Sequence, residues 1–363
     1  MTFFSVELRI QNASSDSDRA ITEINRYPIE QLSPDEKSRW DIEAATFERI
    51  GLSSAIWELQ HFAKVLTDSG HRLQVTGSAA SSVIFHHMGL SSLSPIEYDL
   101  HFERFLDPHT VQFDELHISL LSSRCGADIL RSLWSQGYIT QVVEHEHQDD
   151  RDVKTFVHIE ANHSAQRGGS RMILQLIPSS DLALASLLLP EQVDHCLDDA
   201  PTWELLGRGD TAGIPDLEDE VTQQSLRDRK PRSLEDLGTV IVSQHPSRSG
   251  SDTIDYQEDL MSQLQQEVSM TLREAYEFIR RVARGSCDQL EDAKRELLKH
   301  LFAKGVDAMD FERAWQFYRD RIRQSICKAH QLSVAHVAFQ AAYAKTHYPR
   351  EFRSMVAVLS KSD

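Results

Sequence analysis

Residues 75–108 read VTGSAASSVIFHHMGLSSLSPIEYDLHFERFLDP, and this stretch carries most of what the sequence says about the fold. Gly77 and Ser78 stand directly before a segment in which a helix is predicted. Backbone N–H groups of such a turn, a serine hydroxyl and the partial positive charge of a helix N-terminus together suit a phosphate group. A serine cap after a tight turn explains the same pair without any ligand. Gly77 and Ser78 are therefore candidate phosphate-binding residues whose role depends on the rest of the chain.

The residues around this stretch indicate a mixture of helices and strands. Before it, residues 52–69 place apolar side chains at helical spacing, and Gly70 supplies the stop. Within it, a second helix is predicted from Ala79 to Met88. After it, β-branched residues concentrate in segments that predict strands, at 138–146, 154–161 and 171–178.

The second half of the chain is predicted to be helical. The predicted helices lie at 181–189, 272–284, 289–304, 308–325 and 330–346. Three aromatic residues of this half are predicted to face helix cores rather than to serve as platforms for base stacking, namely Trp315, Phe317 and Phe339. Polar, turn-rich stretches predict loops or linkers at 12–18, 145–152 and 243–252. The sequence thus predicts an α+β protein, with a mixed α and β part followed by an all-helical part.

Charge is distributed unevenly along the chain. The net charge is −18, from 38 Lys and Arg against 56 Asp and Glu, which argues against a protein that coats nucleic acid with its whole surface. Residues 271–363 nevertheless hold 17 basic against 12 acidic residues. Candidate DNA-binding residues in this basic region are Arg319, Arg321 and Arg323. A solvated, ion-paired helix face is the alternative explanation for these three arginines.

Several classes of site and location are disfavoured by the sequence. The four cysteines form no CxxC pair, so neither a zinc ribbon nor a disulfide scaffold is indicated. The N-terminus lacks a basic segment followed by an apolar one, and no run of about 18 apolar residues occurs. The sequence predicts a cytoplasmic protein without a membrane partner.

Residues 75–108 resemble the palm of the bacterial DNA polymerase III alpha subunit, whose pattern reads roughly GRGSAAGSLVAYxLGIT and then DPLxYxLLFERFLNP. Further stretches resemble other parts of that family in the same order. They are TWELLGRGDTAGIPDLED at 202–219, KPRSLEDLGTVIV at 230–242, YQEDLM at 256–261, IRRVARGS at 279–286 and SICKAHQLSVAHVAFQAAYAKTHYPREF at 325–352. On these collinear matches the chain is identified as a truncated relative of that family.

The resemblance implies a C-family polymerase core, with a nucleotidyltransferase-like palm joined to helical fingers. It divides the chain into an N-terminal lead segment at 1–50, a palm-like α/β domain at 51–178 that lacks a thumb, and a helical fingers-like domain at 179–363. The partners that it implies are DNA and other replication or repair proteins. The chemistry of the family needs carboxylates that clamp two Mg²⁺ ions, so Mg²⁺ is the cofactor expected if the chain is active.

The catalytic carboxylates of the family are altered in this chain. The resemblance aligns the first catalytic aspartate with Glu115 and the second with His117, and it places Ser119 and Gln175 at two further acidic positions. Glu115 can still bind a metal ion, whereas His117 is a poor ligand for Mg²⁺. These degenerate positions predict a catalytically inactive protein that binds DNA or assists replication and repair.

The phosphate-binding residues of the fingers are partly retained. The resemblance implies phosphate contacts by four residues, Arg280, Arg281, Lys328 and His330. The paired lysines that follow the arginines in the family are replaced here by Gly285 and Ser286. Thr76 stands in place of the arginine of the GRGS motif. The resemblance therefore implies a phosphate site with fewer positive charges than its relatives have.

Two alternatives stand beside an inactive, DNA-binding relative. The first is an active DNA polymerase, in which Glu115 and either Asp114 or Asp128 rebuild a metal site. The second is a protein-binding scaffold without nucleic acid, in which the acidic residues 1–270, with a net charge of −23, bind a basic partner.

Overall fold

A six-stranded sheet forms the centre of the N-terminal half of the molecule. The computed structural model describes residues 2–8, 29–110, 115–123, 141–146, 155–160, 171–188, 197–243 and 255–359. The strands are β1 (Thr2–Leu8), β2 (Leu73–Thr76), β3 (Glu115–Ser122), β4 (Gln141–Glu146), β5 (Thr155–Glu160) and β6 (Arg171–Pro178). Their order across the sheet is β2-β3-β6-β5-β1-β4. β3 and β6 run parallel, as β1 and β5 do, and the other pairs are antiparallel.

Alternating burial fixes the register of the two central strands. The buried positions are Leu116, Ile118 and Leu120 of β3 and Met172, Leu174 and Leu176 of β6. The intervening residues of both strands belong to the opposite face, because successive side chains of a strand alternate. A slip of one residue would move the whole apolar row out of the core, so the pairing of β3 with β6 is strongly specified.

The helices of the described ranges surround the sheet and continue beyond it. They are α1 (Pro34–Arg49), α2 (Ser53–Asp68), α3 (Val83–His87), α4 (Phe102–Phe105), α5 (Ser180–Leu188), α6 (Ala200–Gly207), α7 (Glu220–Arg229), α8 (Leu234–Ser243), α9 (Gln257–Gln263), α10 (Leu272–Arg284), α11 (Cys287–Ala303), α12 (Ala308–Gln324), α13 (Lys328–His347) and α14 (Pro349–Leu359). None of the helices within these ranges has both the length and the apolar character needed to cross a bilayer.

The α+β fold class predicted from the sequence is confirmed. The three predicted strands correspond to β4, β5 and β6, and the predicted helix over 272–284 coincides with α10. The linker predicted at 12–18 lies outside the described residues, as do most of those at 145–152 and 243–252. β1 falls within the predicted lead segment 1–50, yet it pairs with β4 and β5 and is part of the sheet.

The largest hydrophobic core joins the sheet to the C-terminal helices. It extends from Trp40 of α1 to Phe352 of α14 and includes buried residues of β3 and β6. α13 is buried around most of its circumference, and its buried positions include polar residues such as Gln331, His336 and Gln340. The rings of Trp203 in α6 and Phe339 in α13 lie 4.6 Å apart between their centroids. The predicted boundary at residues 178 and 179 therefore does not separate two cores.

A second core is formed by α9, α10, α11 and α12. Phe278, Leu297 and Trp315 are buried in it, and Phe278 and Trp315 pack edge to face with centroids 6.5 Å apart. The burial of Trp315 and Phe339 confirms two of the three aromatic predictions. Phe317 contradicts the third, because 47% of its surface is exposed. The helical period brings Phe317 to the solvent side of α12 while Trp315 and Tyr318 face the core.

Candidate functional site

Three neutral polar side chains lie side by side on the face of the central strands that is opposite the buried apolar row. Ser119 of β3 lies opposite Gln175 of β6, and Thr76 of β2 lies opposite Ser119 on the other side. His117, two residues before Ser119, is exposed. Glu115 begins β3, where its backbone pairs with that of Arg171. The structure thus brings the aligned catalytic positions of β3 and β6 together on two adjacent strands.

The donor set of this face does not fit Mg²⁺. The ion needs hard oxygen ligands in near-octahedral geometry, chiefly carboxylates, whereas Thr76, Ser119 and Gln175 are neutral. Among the residues that the structure describes, no group of three or more His, Cys, Asp or Glu side chains is arranged to hold a metal ion. Asp114 and Asp128, which belong to the alternative metal site, lie outside the described residues.

The glycine turn after β2 is built differently from the sequence prediction. Gly77 has a positive φ of 70° and begins a short 3₁₀ helix, Gly77–Ser81, so the predicted helix from Ala79 to Met88 is wrong over its first turn. The α-helical part, α3, has five residues. Its first N–H groups are satisfied from within the protein by a buried carboxylate of α1. Glu43 accepts hydrogen bonds from Val83 N at 3.1 Å and from Ile84 N at 3.2 Å.

Glu43 is completely buried, and burial raises the pKa of its carboxyl group against the opposing effects of Arg39 and the donors around it. The Ser82 hydroxyl donates a further hydrogen bond to Glu43 at 2.7 Å. The first N–H groups of α3 therefore already have an acceptor, and this acceptor belongs to the protein. Gly77 and Ser78 stay predictions as phosphate-binding residues.

His330 joins the helical half of the molecule to the glycine turn. Its Nδ1 lies 3.0 Å from the Oγ1 atom of Thr76, which is itself buried. Burial lowers the pKa of His330, and the positive charge of Arg104 lowers it further. A neutral imidazole at this position is suited to a hydrogen bond with a hydroxyl group rather than to an ion pair with phosphate.

Lys328 is tied to the preceding helix α9. Its backbone N–H donates to Glu258 at 2.8 Å, and its Nζ lies 3.2 Å from Asp259. The Nζ atom also lies 5.9 Å from the centre of the Tyr256 ring. The predicted phosphate-binding roles of Lys328 and His330 therefore compete with contacts inside the protein.

Four arginines line one cavity between the palm-like part and the helical part. The cavity has a volume of about 270 Å³ and lies where α4 packs against α10. The arginines are Arg104, Arg280, Arg281 and Arg284. Tyr276, Gly285, Gln257 and Gln289 also line it. The predicted pair Arg280 and Arg281 is thus brought together with two further arginines that the sequence reasoning missed.

Each arginine of the cavity is held differently. Arg104 is nearly buried, donates to Gln257 at 2.8 Å and lies 3.5 Å from the carboxylate of Glu258. Burial by itself lowers the pKa of Arg104, but Cys327 and Glu258 outweigh it, so the pKa is raised. Arg280 pairs with Glu277 at 2.7 Å, and this hydrogen bond raises its pKa.

Arg281 and Arg284 complete the lining. Arg281 pairs with Glu296 of α11, which ties the two helices together. Arg284 is exposed and lies one turn after Arg280 on the same helix. The motif IRRVARGS could have indicated Arg284, because it follows Arg280 by four residues and so lies on the same side of the helix. Arg104 had no such signal, because only the fold brings α4 to this cavity.

Comparison with known proteins finds family models that match two separate stretches of the chain. The family model described as the bacterial DNA polymerase III alpha NTPase domain matches residues 17–159. The model for the finger domain of the same subunit matches residues 188–255. The chain is a relative of the bacterial DNA polymerase III alpha subunit.

Individual DNA polymerase III alpha subunits are similar at a low level of identity. The chain is 21% identical to that of Thermotoga maritima, over 98% of this chain and 51% of the relative. It is 20% identical to that of Halalkalibacterium halodurans, over 90% of this chain and 41% of the relative. Identity to the Mycobacterium tuberculosis subunit is 29%, over 43% of this chain and 16% of the relative. The chain thus spans about half or less of the length of these polymerase subunits.

Two positions that depart from the polymerase III alpha pattern have a local structural role. Gly285 ends α10, and a Cβ atom there would lie 2.3 Å from the carbonyl oxygen of Arg281. A lysine at this position would require the backbone to move. Ser286 caps α11, with its hydroxyl accepting from Gln289 N and the Gln289 side chain accepting from Ser286 N. The turn between the two helices therefore excludes the lysine pair of the family.

The three arginines predicted to bind DNA lie on α12 and do not line the cavity. Arg319 pairs with Asp320 at 3.1 Å. Arg321 donates from Nε to Asp255 at 2.8 Å and from Nη1 to Gln263 at 2.6 Å. Arg323 is exposed. Their contact with DNA stays a prediction, and any such contact would be separate from the cavity.

Proposed function

We propose that this chain binds the phosphates of DNA through the arginine cavity and does not transfer nucleotides. The observation that carries the proposal is the combination of four arginines in one cavity with a neutral row on the adjacent central strands. Kinship with the polymerase III alpha subunits supports DNA as the partner. The role is that of an accessory factor in replication or repair.

The exposure of Arg280 and Arg284 and the weak ion pair of Arg280 support phosphate binding. Arg280 and Arg284 lie one turn apart on the accessible side of α10, and a guanidinium group offers two parallel donors to a phosphate. Arg280 has 57% of its side chain exposed, and its partner Glu277 is also accessible to water. An exposed ion pair of this kind contributes at most about 1 kcal/mol. A phosphate can therefore displace the carboxylate at little cost.

The neutral side chains of the central strands support the proposal that the chain does not transfer nucleotides. Two-metal transfer needs carboxylates that fix both ions beside the reacting oxygens. Thr76, Ser119 and Gln175 offer only neutral oxygens, and His117 offers a nitrogen that Mg²⁺ binds poorly. Of the aligned positions only Glu115 carries a carboxylate, which is fewer than two-metal transfer needs.

The test is binding of a fluorescent primer-template, followed by anisotropy across a titration from about 50 to 200 mM salt. We expect wild-type affinity to fall with salt, and Arg280→Ala to bind more weakly and to lower the slope of log K against log salt by about 0.9. Arg295→Ala is the matched control. Arg295 is another exposed arginine that pairs with an acid three residues away, but it does not line the cavity.

Equal effects of Arg280→Ala and Arg295→Ala would contradict a specific role for the cavity. Absence of any salt-dependent binding by the wild-type chain would contradict DNA binding itself. Competition by inorganic triphosphate at constant ionic strength distinguishes binding of the DNA backbone from binding of a nucleoside triphosphate. If the cavity binds phosphates of the DNA backbone, triphosphate should displace the DNA only to the extent expected from the charge it adds. If the cavity is a pocket for a nucleoside triphosphate, a far lower concentration of triphosphate should displace the DNA.

A further inference from the structure

Phe317 is an exposed aromatic ring held beside a fixed guanidinium group. Its ring centre lies 4.9 Å from the Cζ atom of Arg321, one turn further along α12. The ring of Tyr318 approaches it edge to face, with centroids 5.3 Å apart. Exposure of 47% of so large an apolar side chain gives no stability to the fold. The open side of the ring is available to a ligand.

Arg321 is positioned by hydrogen bonds to residues outside α12. Its hydrogen bonds to Asp255 and Gln263 come from segments before α10, so the guanidinium group is anchored independently of α12. An anchored guanidinium group restricts the Phe317 ring and reduces the entropy lost when a ligand stacks on it. Arg321 therefore acts as a positioning residue for the ring.

A second arginine lies one helical turn from Phe317 in the opposite direction along α12. Arg313 precedes Phe317 by four residues, which is one helical turn. Its side chain is 73% exposed and pairs with Asp310 of the same helix at 3.2 Å. Such a pair is weak and can be replaced by a phosphate. One turn of α12 thus offers an aromatic face next to a cation that can exchange its partner.

The surroundings of the ring favour nucleic acid over a protein partner. A protein interface on this face would need a contiguous apolar patch. Phe317 is instead a single ring between charged residues, with Arg313, Asp320 and Arg321 as neighbours at helical spacing. An aromatic ring with flanking arginines is the combination that binds an unpaired base together with its phosphate.

We infer that Phe317 is a stacking site for an unpaired base of single-stranded nucleic acid, with Arg313 binding the adjacent phosphate. The inference rests on the proposed function, since it names the form of DNA that reaches this surface. It assigns a second contact region, on α12 and apart from the arginine cavity.

The test compares two ligands of equal charge, a fluorescent oligothymidylate and an abasic strand of the same length. Phe317→Ala should weaken binding of the oligothymidylate roughly 5- to 100-fold, the range for the loss of one stacked base. Binding of the abasic strand should be the same for wild type and Phe317→Ala. Phe317→Trp should retain the affinity of the wild type for oligothymidylate.

Phe302→Ala is the matched control. Phe302 is 49% exposed, lies on the neighbouring helix α11 and faces Phe311 with centroids 6.4 Å apart. We expect this variant to bind oligothymidylate as wild type does.

Equal loss in Phe302→Ala and Phe317→Ala, or equal loss on both strands, would overturn the inference. If Arg280→Ala weakens binding while Phe317→Ala does not, the inference fails and the proposed function stands. If the wild-type chain binds neither strand nor the primer-template, both fail.

Discussion

Asp181 shows how one buried carboxyl group makes stability depend on pH. It lies in the first turn of α5 with 1% of its surface exposed. Burial raises the pKa of Asp181, and the negative charges of Asp216 and Glu218 raise it further. The folded protein therefore holds a proton that the unfolded chain releases at ordinary acidic pH.

The raised pKa fixes the direction of the pH dependence. The stability that protonated Asp181 provides is fully present below the unfolded pKa, about 3.9, and is lost as pH rises through the higher folded pKa. The side chain of Asp181→Asn stays neutral at every pH. The variant should therefore be more stable than wild type at about pH 8, by roughly 1–3 kcal/mol, and this advantage should shrink toward about pH 4. Urea unfolding at both pH values measures this difference.

Asp228→Asn on the surface of α7 is the control for Asp181→Asn. Asp228 is exposed and accepts a hydrogen bond from Gln224 of its own helix. Its replacement should change the free energy of unfolding little at either pH. Parallel pH profiles for Asp181→Asn and wild type would contradict the raised pKa.

Single residues of the site were predicted only where the sequence carried a local signal. Arg280 and Arg281 were found because they are adjacent within a recognisable motif, and the structure places both at the cavity. Arg104 was missed because its distance from them in sequence is large and only tertiary packing closes it. Phe317 departs from the prediction because the helical phase that buries Trp315 and Tyr318 leaves position 317 on the solvent side.

At the scale of elements, a buried carboxylate connects α9 to α13. Glu258 accepts from Lys328 N at 2.8 Å and from Ala329 N at 3.3 Å, and so caps the N-terminus of α13. It also lies 3.5 Å from the guanidinium group of Arg104. Three elements that are distant in sequence thus depend on one completely buried side chain.

Glu258→Ala should lower the free energy of unfolding by roughly 3–5 kcal/mol, because it leaves the buried Arg104 without its carboxylate partner and two N–H groups without their acceptor. Glu274→Ala is the matched comparison. Glu274 also caps a helix, through a capping box with Thr271, but it is exposed. Its loss should cost about 1 kcal/mol. Equal costs in urea unfolding would contradict the central role of Glu258.

Helical period predicted most of the long helices, and β-branched composition predicted β4, β5 and β6. The turn after β2 was predicted incorrectly, since its shape depends on Glu43 from a helix forty residues earlier. No local pattern contains such a contact. The packing of α13 in the same core as the sheet could not be predicted either. A helix that is buried around most of its circumference has no single apolar face that indicates its packing partner.

For the whole molecule, one continuous core binds the sheet to the C-terminal helices, and the arginine cavity opens where the two halves meet. The relatives named DNA polymerase III subunit alpha are longer, and this chain aligns to about half of the Thermotoga maritima protein. In the proposed function, the molecule retains some of the phosphate-binding side chains that the resemblance implies and lacks most of the metal-binding ones.

Primer extension by the purified chain tests this central claim most directly. A labelled primer-template is incubated with the chain, four deoxynucleoside triphosphates and either Mg²⁺ or Mn²⁺, and binding is followed in the same samples. The expected result is salt-dependent binding without any lengthened primer. Template-dependent extension that disappears in Glu115→Ala would contradict the claim and would favour an active enzyme with a rebuilt metal site.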